Sequence, residues 1–478
     1  MELGRDLKSR QEVRELVEKS SKAQEILRKK SQAEIDRIIK AIADCGVAHA
    51  EELARLAQEE TGFGNVKDKI QKNLFASKTV YEAIRDQKTI GILHKDTERK
   101  VWDVGVPVGV VAGIAPSTNP TSTVLYKSLI ALKGGNTIVF SPHPGAAKCT
   151  LKTVEYLMEA AEQAGCPAGA VSCITIPTMD AIEELMKHPQ VKLILATGGE
   201  AMVRAAYSSG KPAIGVGAGN GPAYLHPSCH LKDAIEKIFR SKTFDNGTIC
   251  ASEQSIIYHK NMEKEVFSAI EAQGGCVLEG EEAEKLSRWI LRCNGTMNPK
   301  IVGKTASEIA KMASLGEKAQ KAKVLLARED MVGDEHPFSR EKLCPILALY
   351  AVENEEEALR LSCEILYHEG SGHTFAIHAE DGSVVEKFAL QVPVSRFLVN
   401  TPSALGGIGA STGLFPALTL GCGAVGGSSS SNNIGPLDLI NIRRVAWDTE
   451  KQVPKEHVAS VDEELIEKIT EKILEKFR

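Results

Sequence analysis

The chain has 478 residues, 43% of them hydrophobic and 25% charged, which is ordinary for a globular enzyme of two or three domains. Its formal net charge of −5 provides no general attraction for nucleic acids or anionic membranes. The eleven cysteines include no Cys-x-x-Cys pair, so we expect reduced thiols, no metal site and a cytoplasmic location. The charged, amphipathic N-terminus is unlike a secretory signal, and no apolar run is long enough to cross a membrane.

The first sixty residues predict helices. Ser31 and Glu34 have the spacing of a capping box, which marks the start of a helix. Isoleucines then occupy positions 35, 38, 39 and 42, a spacing that places them on one face of that helix. We therefore expect this region to pack on a core rather than to act as a targeting segment.

From Val106 onward, apolar strands alternate with helices, which predicts βαβ units and a parallel sheet. Ligands of such sheets bind outside the carboxyl ends of the strands. Three predicted strands end in polar or glycine-containing loops, at 116–120, 141–145 and 197–199. These loops are candidates for a cofactor site.

A glycine-rich segment at 211–221 separates this region from a second alternating one. Its glycines predict a lack of regular structure and a backbone that approaches a ligand closely. We predict a cofactor-binding domain, a catalytic domain, a glycine- and serine-rich segment with a return strand, and a linker with an amphipathic helix. Their ranges are 1–228, 229–420, 421–447 and 448–478.

The stretch 402–436 is rich in glycine, serine and asparagine, and its Gly421-x-Gly423-x-x-Gly426 matches the dinucleotide fingerprint by letter. That fingerprint requires a helix directly after it, and the serines and asparagines that follow do not begin one. We therefore predict a loop, either lining a pocket or on the surface.

Cys250 follows an Asp-Asn-Gly turn and precedes an apolar strand, with small polar residues around it. This arrangement presents a thiol at the rim of a core, and a thiolate attacks carbonyl groups well. Cys344 before a proline and Cys422 between glycines lack comparable neighbours, so we predict that both are structural. Cys250 is the predicted nucleophile.

The Cys250 segment resembles the nucleophile motif of the aldehyde dehydrogenase superfamily. Four further segments are similar to motifs of that family, in the same order, at 113–120, 141–144, 197–199 and 341–345. The resemblance implies an α/β fold with two doubly wound parallel-sheet domains, one cofactor-binding and one catalytic. It also implies a small oligomerisation element and assembly as a dimer or tetramer. The predicted architecture further includes a C-terminal amphipathic helix, described below.

The resemblance also implies roles for single residues. Cys250 is expected to attack the aldehyde, Asn119 to bind the oxyanion, and His373 to act near the site. Cofactor contacts are implied for Pro116, Ser117, Ser141, His143, Thr197, Gly198, Gly199, Gly217 and Glu341. The implied cofactor is NAD, which Ser141, in place of a lysine at the ribose-facing strand end, favours over NADP.

One departure from the family pattern indicates the subclass. Hydrolytic members carry a glutamate that activates water, but here the segment 201–232 contains no Asp or Glu. A thioester on Cys250 should then resist water and pass to coenzyme A, as the resemblance to the CoA-acylating aldehyde dehydrogenases implies. We expect propionaldehyde or acetaldehyde as the substrate. A hydrolytic aldehyde dehydrogenase and a non-catalytic scaffold are the alternatives.

The last thirty residues predict a tethered helix. A polar linker at 448–457 precedes a capping box at 460–463 and an apolar stripe formed by Leu465, Ile466, Ile469, Ile473 and Phe477. Such a helix either docks on its own chain or binds a partner. It resembles the encapsulation helices of bacterial microcompartments, which implies binding to shell or core proteins through residues 460–478 and a location inside such a compartment.

Overall fold

The computed structural model describes residues 4–449 and 463–477. Its contacts divide the chain into two units. The large unit contains the residues up to Gly91 together with 106–441, and the small unit contains 92–105 together with the residues from Ile442 onward. The predicted domain boundaries at 228 and 420 stay predictions.

Helices and strands alternate through most of the described chain. The helices are α1 (Arg5–Leu27), α2 (Gln32–Ala48), α3 (Ala50–Thr61), α4 (Val66–Leu74), α5 (Val80–Ile84), α6 (Pro120–Lys133), α7 (Ala147–Gln163), α8 (Met179–Lys187), α9 (Glu200–Tyr207), α10 (Leu231–Thr243), α11 (Glu263–Ala272), α12 (Gly280–Ile290), α13 (Ala306–Met312), α14 (Glu317–Gln320), α15 (Glu355–His368), α16 (Gly382–Ala389), α17 (Ser403–Gly407) and α18 (Glu463–Lys476). The strands are β1 (Gly91–Asp96), β2 (Val101–Pro107), β3 (Val110–Ala115), β4 (Thr137–Pro142), β5 (Val171–Cys173), β6 (Val191–Thr197), β7 (Ala213–Val216), β8 (Pro222–Leu225), β9 (Ser255–His259), β10 (Gly275–Leu278), β11 (Val324–Arg328), β12 (Ile346–Val352), β13 (Gly372–His378), β14 (Val394–Val399) and β15 (Ile440–Ala446). The capping box predicted at Ser31 and Glu34 is confirmed at the start of α2.

Five parallel strands form the first sheet, in the order β5-β4-β3-β6-β7. Every residue of β3 and β4 is buried, because helices cover both faces of the sheet. Val110 packs in the core on one face with residues of α1 and α8, and Val111 packs on the other face with residues of α2 and α6. The strand order reverses between β3 and β6, which is where such sheets bind ligands at their carboxyl ends.

A second parallel sheet has seven strands, in the order β10-β11-β12-β9-β8-β13-β14. Cys250 lies in the segment that enters the central strand β9, and His373 is the second residue of β13. The amino ends of these strands therefore carry both residues. The two parallel sheets confirm the predicted α/β fold class.

The prediction that residues 211–221 lack regular structure is wrong for its central part. Ala213–Val216 forms β7, an edge strand that pairs with β6. Pairing and burial of Ile214 and Val216 outweigh the low strand propensity of the glycine between them. Residues 211–212 and 217–221 are irregular, and glycines of the second stretch make the close approach described below.

The stretch 402–436 is largely irregular, as predicted, apart from the short helix α17. Its glycine motif is not a dinucleotide fingerprint. A single 3-10 turn at Ala424–Gly426 ends at Gly427, whose φ of 67° lies in the left-handed region, and no helix follows. The prediction that rejected this motif is confirmed.

The small unit contains most of a three-stranded sheet, in the order β1-β2-β15. Within it, the rings of Trp102 and Trp447 meet edge to face, with centroids 4.7 Å apart. The helix α18 also belongs to this unit, and the linker and capping box predicted before it lie mostly outside the described residues. Within the ranges 4–449 and 463–477, no helix combines the length and the hydropathy that a membrane span requires.

Candidate active site

A left-handed turn positions the predicted nucleophile. Asp245, Asn246 and Gly247 have φ values of 46°, 54° and 77°, a conformation that these three residue types tolerate best. A Cβ at Gly247 would lie 3.0 Å from the backbone carbon of Cys344, so a side chain does not fit there. The turn ends just before Cys250, which is half-buried, whereas Cys344 and Cys422 are buried.

His373 is a hydrogen-bond partner of Cys250, the predicted nucleophile. Its Nε2 lies 3.2 Å from the Cys250 Sγ, and its Nδ1 lies 2.9 Å from the hydroxyl of Thr374. Burial, together with the nearby Arg396, lowers the pKa of His373 to about 3. Burial, assisted by the charge of Glu341, raises the pKa of the Cys250 thiol to about 12. At neutral pH the pair is therefore uncharged, and in the tautomer that carries its proton on Nδ1 the ring can accept a hydrogen bond from the thiol at Nε2.

The backbone of the glycine-rich segment approaches the nucleophile closely. A Cβ at Gly219 would lie 2.1 Å from the carbonyl oxygen of Cys250 and 3.2 Å from Cε1 of His373. The Gly219 N–H donates to Oε1 of Glu341 over 2.8 Å. The neighbour that requires a glycine at position 219 is therefore the loop of Cys250.

Glu341 places a carboxyl group beside Gly219, in the segment 201–232 that contains no Asp or Glu of its own. Burial and the charge of Glu369 raise the pKa of Glu341 to about 8. Its neutral form therefore predominates at neutral pH. In that form its hydroxyl can serve as a donor to a ligand, while Oε1 accepts from Gly219.

Asn119 follows β3 and reaches the same turn from the first sheet. Its Nδ2 donates to the carbonyl oxygen of Thr248 over 3.2 Å, and its Oδ1 accepts from Nζ of Lys72 over 2.5 Å. The structure thus brings together Asn119, Cys250 and His373, although they are far apart in the chain. Their catalytic roles stay predictions that this proximity supports.

Two lysines and a carboxylate near the site were not among the predicted residues. Lys69 and Lys72 lie on α4, and both contact Asp245, which was interpreted only as part of a turn. The sequence around α4 is rich in charges, and no local pattern shows which of them are buried. The cap Asn65, whose side chain accepts from the Asp68 N–H, is a signal for the start of this helix.

Eight of the predicted cofactor residues lie at the carboxyl edge of the first sheet, whereas Glu341 lies in the connection between β11 and β12 of the second sheet. The hydroxyls of Ser141 and Thr197 are buried and have no hydrogen-bond partner among the described residues. No atom lies within 4 Å of a Cβ built at Gly199 or Gly217, so there is space beside both glycines. The helix α9 begins after Gly199 without a side-chain cap, which leaves its first N–H groups for an anion.

Four more of the predicted cofactor residues occupy the same edge. Pro116 and Ser117 are half-buried in the loop after β3, and Gly198 directly precedes Gly199. His143 is exposed, and its Nδ1 accepts a hydrogen bond from the Gly145 N–H over 3.0 Å. The unpartnered hydroxyls, the open glycines and the uncapped helix together fit a dinucleotide with its diphosphate at α9. In the described ranges, no group of three or more His, Cys, Asp or Glu side chains could hold a metal ion.

Comparison with curated proteins finds relatives that share most of this chain. The bifunctional aldehyde-alcohol dehydrogenase AdhE of Escherichia coli K12 is 41% identical over 440 residues, which is 91% of this chain and 49% of that protein. The succinate-semialdehyde dehydrogenase (acetylating) of Clostridium kluyveri is 35% identical and is matched over 92% of this chain and 97% of its own length. The chain thus spans about half the length of the first of these relatives.

Comparison with solved structures also finds aldehyde dehydrogenases. A probable aldehyde dehydrogenase from Listeria monocytogenes EGD-e is 58% identical, with a TM-score of 0.93 over 94% of this chain and 99% of that chain. An acetylating aldehyde dehydrogenase from Geobacillus thermoglucosidasius is 51% identical, with a TM-score of 0.91 over 93% and 98%.

Two propionaldehyde dehydrogenases are more distant, each 28% identical with a TM-score of 0.82. One comes from the fucose utilisation bacterial microcompartment of Clostridium phytofermentans and is matched over 92% of this chain and 98% of that chain. The other, from Rhodopseudomonas palustris, was solved with bound propionyl-CoA and is matched over 91% and 94%. A profile of the aldehyde dehydrogenase family matches residues 6–413. The chain therefore belongs to the aldehyde dehydrogenase family.

Proposed function

We propose that this protein oxidises a small aldehyde to an acyl-CoA, with NAD as the hydride acceptor, and that it also catalyses the reverse reaction. The observation that carries the proposal is the hydrogen bond between Cys250 and His373, beside a glycine segment that contains no acid. Two of the relatives described above are named as acetylating enzymes, which supports transfer to coenzyme A rather than to water.

The first chemical step uses the residues around the thiol. The Cys250 Sγ attacks the aldehyde carbon while its proton passes to Nε2 of His373, whose Nδ1 is held by Thr374. The negative charge that develops on the aldehyde oxygen is stabilised by Nδ2 of Asn119 and the N–H of Cys250. Each such donor contributes about 3 kcal/mol to the stabilisation of the transition state.

NAD, when bound at the carboxyl edge of the first sheet, supplies the acceptor for the hydride of this intermediate. Cys250 then carries a thioester. The burial of the surrounding segment limits the access of water, and Glu341 remains engaged with Gly219. The sulfur of coenzyme A, once its thiol proton has been lost to solvent, attacks the thioester carbon, and the bond from that carbon to the Cys250 Sγ breaks to release acyl-CoA. The Cys250 thiolate then takes back the proton held on Nε2 of His373, which restores both residues.

Omission of coenzyme A tests the proposal directly. With aldehyde and NAD alone, we expect a single burst of NADH that does not exceed one equivalent per site, because the thioester persists. Addition of coenzyme A should start steady turnover, measured as NADH absorbance and as acyl-CoA by chromatography. Steady NADH formation at the same rate without coenzyme A, with free acid as the product, would show a hydrolytic enzyme and overturn the proposal.

The proposed substrate is propionaldehyde or acetaldehyde, and the proposed cofactor is NAD rather than NADP. The buried hydroxyl of Ser141 supports NAD, because a neutral side chain at this strand end offers no charge to a 2′-phosphate. Aldehydes of two to five carbons, assayed with coenzyme A and each cofactor, determine both preferences. A higher kcat/KM with NADP, or with the five-carbon aldehyde, would contradict this part of the proposal.

We further propose that α18 binds a shell or core protein of a bacterial microcompartment. Its apolar side chains Leu465, Ile466, Ile469, Ile473 and Phe477 are between 50% and 87% exposed. A solved relative belongs to such a compartment, which supports this partner. In this view the enzyme is cytoplasmic and enclosed in the compartment, as a homo-oligomer of two or four chains.

A substitution within α18 tests the partner. Ile469→Asp combined with Ile473→Asp places two charges on the apolar face, and we expect it to abolish co-purification with compartment shells without a change in kcat. Glu467→Lys combined with Glu471→Lys changes the polar face of the same helix and serves as the matched control. A fall in activity of the Asp variant would show that the helix docks on its own chain, which would contradict the proposal.

A further inference from the structure

The helix α4 carries two buried cations beside the site. The side chains of Lys69 and Lys72 are each only 4% exposed, and their Nζ atoms lie 3.0 Å and 2.5 Å from Oδ2 of Asp245. Buried lysines are rare unless they are paired, and two lysines on one carboxylate leave an ammonium with donors to spare. None of the segments that carry the family resemblance includes α4.

The N–H groups of Lys72 that do not bind Asp245 donate to Asn119, the predicted oxyanion-binding residue, and to Thr248. Its Nζ donates to Oδ1 of Asn119 over 2.5 Å and to the hydroxyl of Thr248 over 2.9 Å. An ammonium group only donates, so the amide of Asn119 must turn its oxygen toward Lys72. The amide NH₂ then lies on the opposite side, at the turn that leads to Cys250.

Lys69 and Asp245 connect α4 to the two segments beside the Asn119 amide, which are the loop after β3 and the turn before Cys250. Lys69 donates to the carbonyl oxygen of Thr118 over 3.1 Å, which fixes the backbone directly before Asn119. The carboxylate of Asp245 also accepts from the Asn65 N–H over 2.8 Å. Because Asp245 begins the left-handed turn, one carboxylate connects α4 to the segment of the nucleophile.

The charge of Lys72 strengthens the amide as well as orienting it. Burial lowers the pKa of Lys72 to about 8, and the charge of Asp245 opposes this effect, so the ammonium form predominates at neutral pH. A cation on Oδ1 withdraws electron density from the amide and makes its N–H groups better donors. In a buried site this effect is not screened by water.

We propose that Lys72 is a positioning residue for the oxyanion site, where it orients and polarises the amide of Asn119 from its anchor on Asp245. This inference rests on the proposed function. It assigns to α4 a role in the reaction rather than in folding alone. It also explains why a carboxylate, rather than any turn-forming residue, occupies the first position of the left-handed turn.

A change of Lys72 should act on thioester formation and not on cofactor binding. For Lys72→Met we expect the rate of the NADH burst, measured in a single turnover without coenzyme A, to fall by about 10- to 100-fold. The KM for NAD should stay within about twofold, because the hydrogen bonds of Lys72 reach Asn119, Asp245 and Thr248, none of which is a predicted cofactor residue. Lys72→Gln, which keeps a donor but not the charge, should have an intermediate rate. Lys67→Met on the exposed face of α4 is the matched control and should behave as the unmodified enzyme.

A double-mutant cycle separates positioning from general stability. In an Asn119→Ala background, the amide that Lys72 orients is absent, so Lys72→Met should slow the burst by less than about twofold more. An equal effect of Lys72→Met with and without Asn119 would overturn the inference, and so would an unchanged burst in the single variant. If the Met variant does not fold, Lys72→Gln decides the cycle by the same two criteria.

The burst and the turnover of the unmodified enzyme show whether a failure concerns this inference or the proposed function. If it forms no NADH burst with aldehyde and shows no turnover with coenzyme A, the proposed function is wrong. If it shows both and the Lys72 variants match it, only the role of Lys72 is wrong.

Discussion

A Cys250→Ser variant is expected to lose NADH formation by roughly 10³-fold or more, because a serine hydroxyl is a far weaker nucleophile than a thiolate. The half-buried Cys250 sulfur is the one that His373 contacts at 3.2 Å. The oxygen of a serine would sit in the same place, so the variant tests the chemistry of the sulfur and leaves the packing intact.

Two measurements complete this test. Mass spectrometry after incubation with aldehyde and NAD should find an acyl adduct on Cys250 of the unmodified enzyme and none on the variant. Binding of NAD, measured as the shift that NAD causes in the unfolding temperature, should be the same for the variant and the unmodified enzyme. Cys293→Ser, at an exposed cysteine, is the matched control and should keep full activity. Substantial activity of Cys250→Ser would show that Cys250 is not the nucleophile.

A Gly219→Ala variant is expected to reduce kcat by roughly 10²-fold, since small displacements of a reacting group have effects of this size. The added Cβ would lie 2.1 Å from the Cys250 carbonyl oxygen, so the loop of the nucleophile must move. It would also lie 3.2 Å from Cε1 of His373, so the contact between thiol and imidazole is disturbed. Overpacking of this kind also lowers the free energy of unfolding by about 1–3 kcal/mol.

Gly382→Ala provides the control for this variant. No atom lies within 4 Å of a Cβ at Gly382, which begins α16, so the substitution should change neither kcat nor the unfolding temperature. Steady-state kinetics and thermal unfolding of both variants are compared with the unmodified enzyme. A Gly219→Ala variant with full kcat would show that the Cys250 loop has room to move without loss of function.

The turn before Cys250 could be predicted from the sequence, but the contact that Gly219 makes could not. The turn before Cys250 was predicted because Asp, Asn and Gly in succession have a strong local preference, and the structure confirms it. The glycine segment was predicted to approach a ligand, whereas its nearest neighbour is the backbone of Cys250, which follows it by about thirty residues. A glycine indicates that something is close, but not what it is.

Some strands could be predicted from the local sequence and others could not. The long apolar runs of β3, β4 and β6 were predicted because strands buried on both faces have a distinctive composition. The strand β7 was not predicted, because its residues become a strand only through pairing with β6. Local preference is weak in such short strands, and the neighbouring strand decides their conformation.

The sequence by itself determined the fold class and the family, since these depend on local periodicity and on ordered motifs, and it predicted the nucleophile from the same motifs. Only the tertiary structure decided that Glu341 meets Gly219 and that Lys72 holds the amide of Asn119. The partners in each pair are separated by 122 and 47 positions, respectively. Whether a charged side chain is buried beside another depends on how distant segments pack, and the sequence around each residue carries no record of that packing.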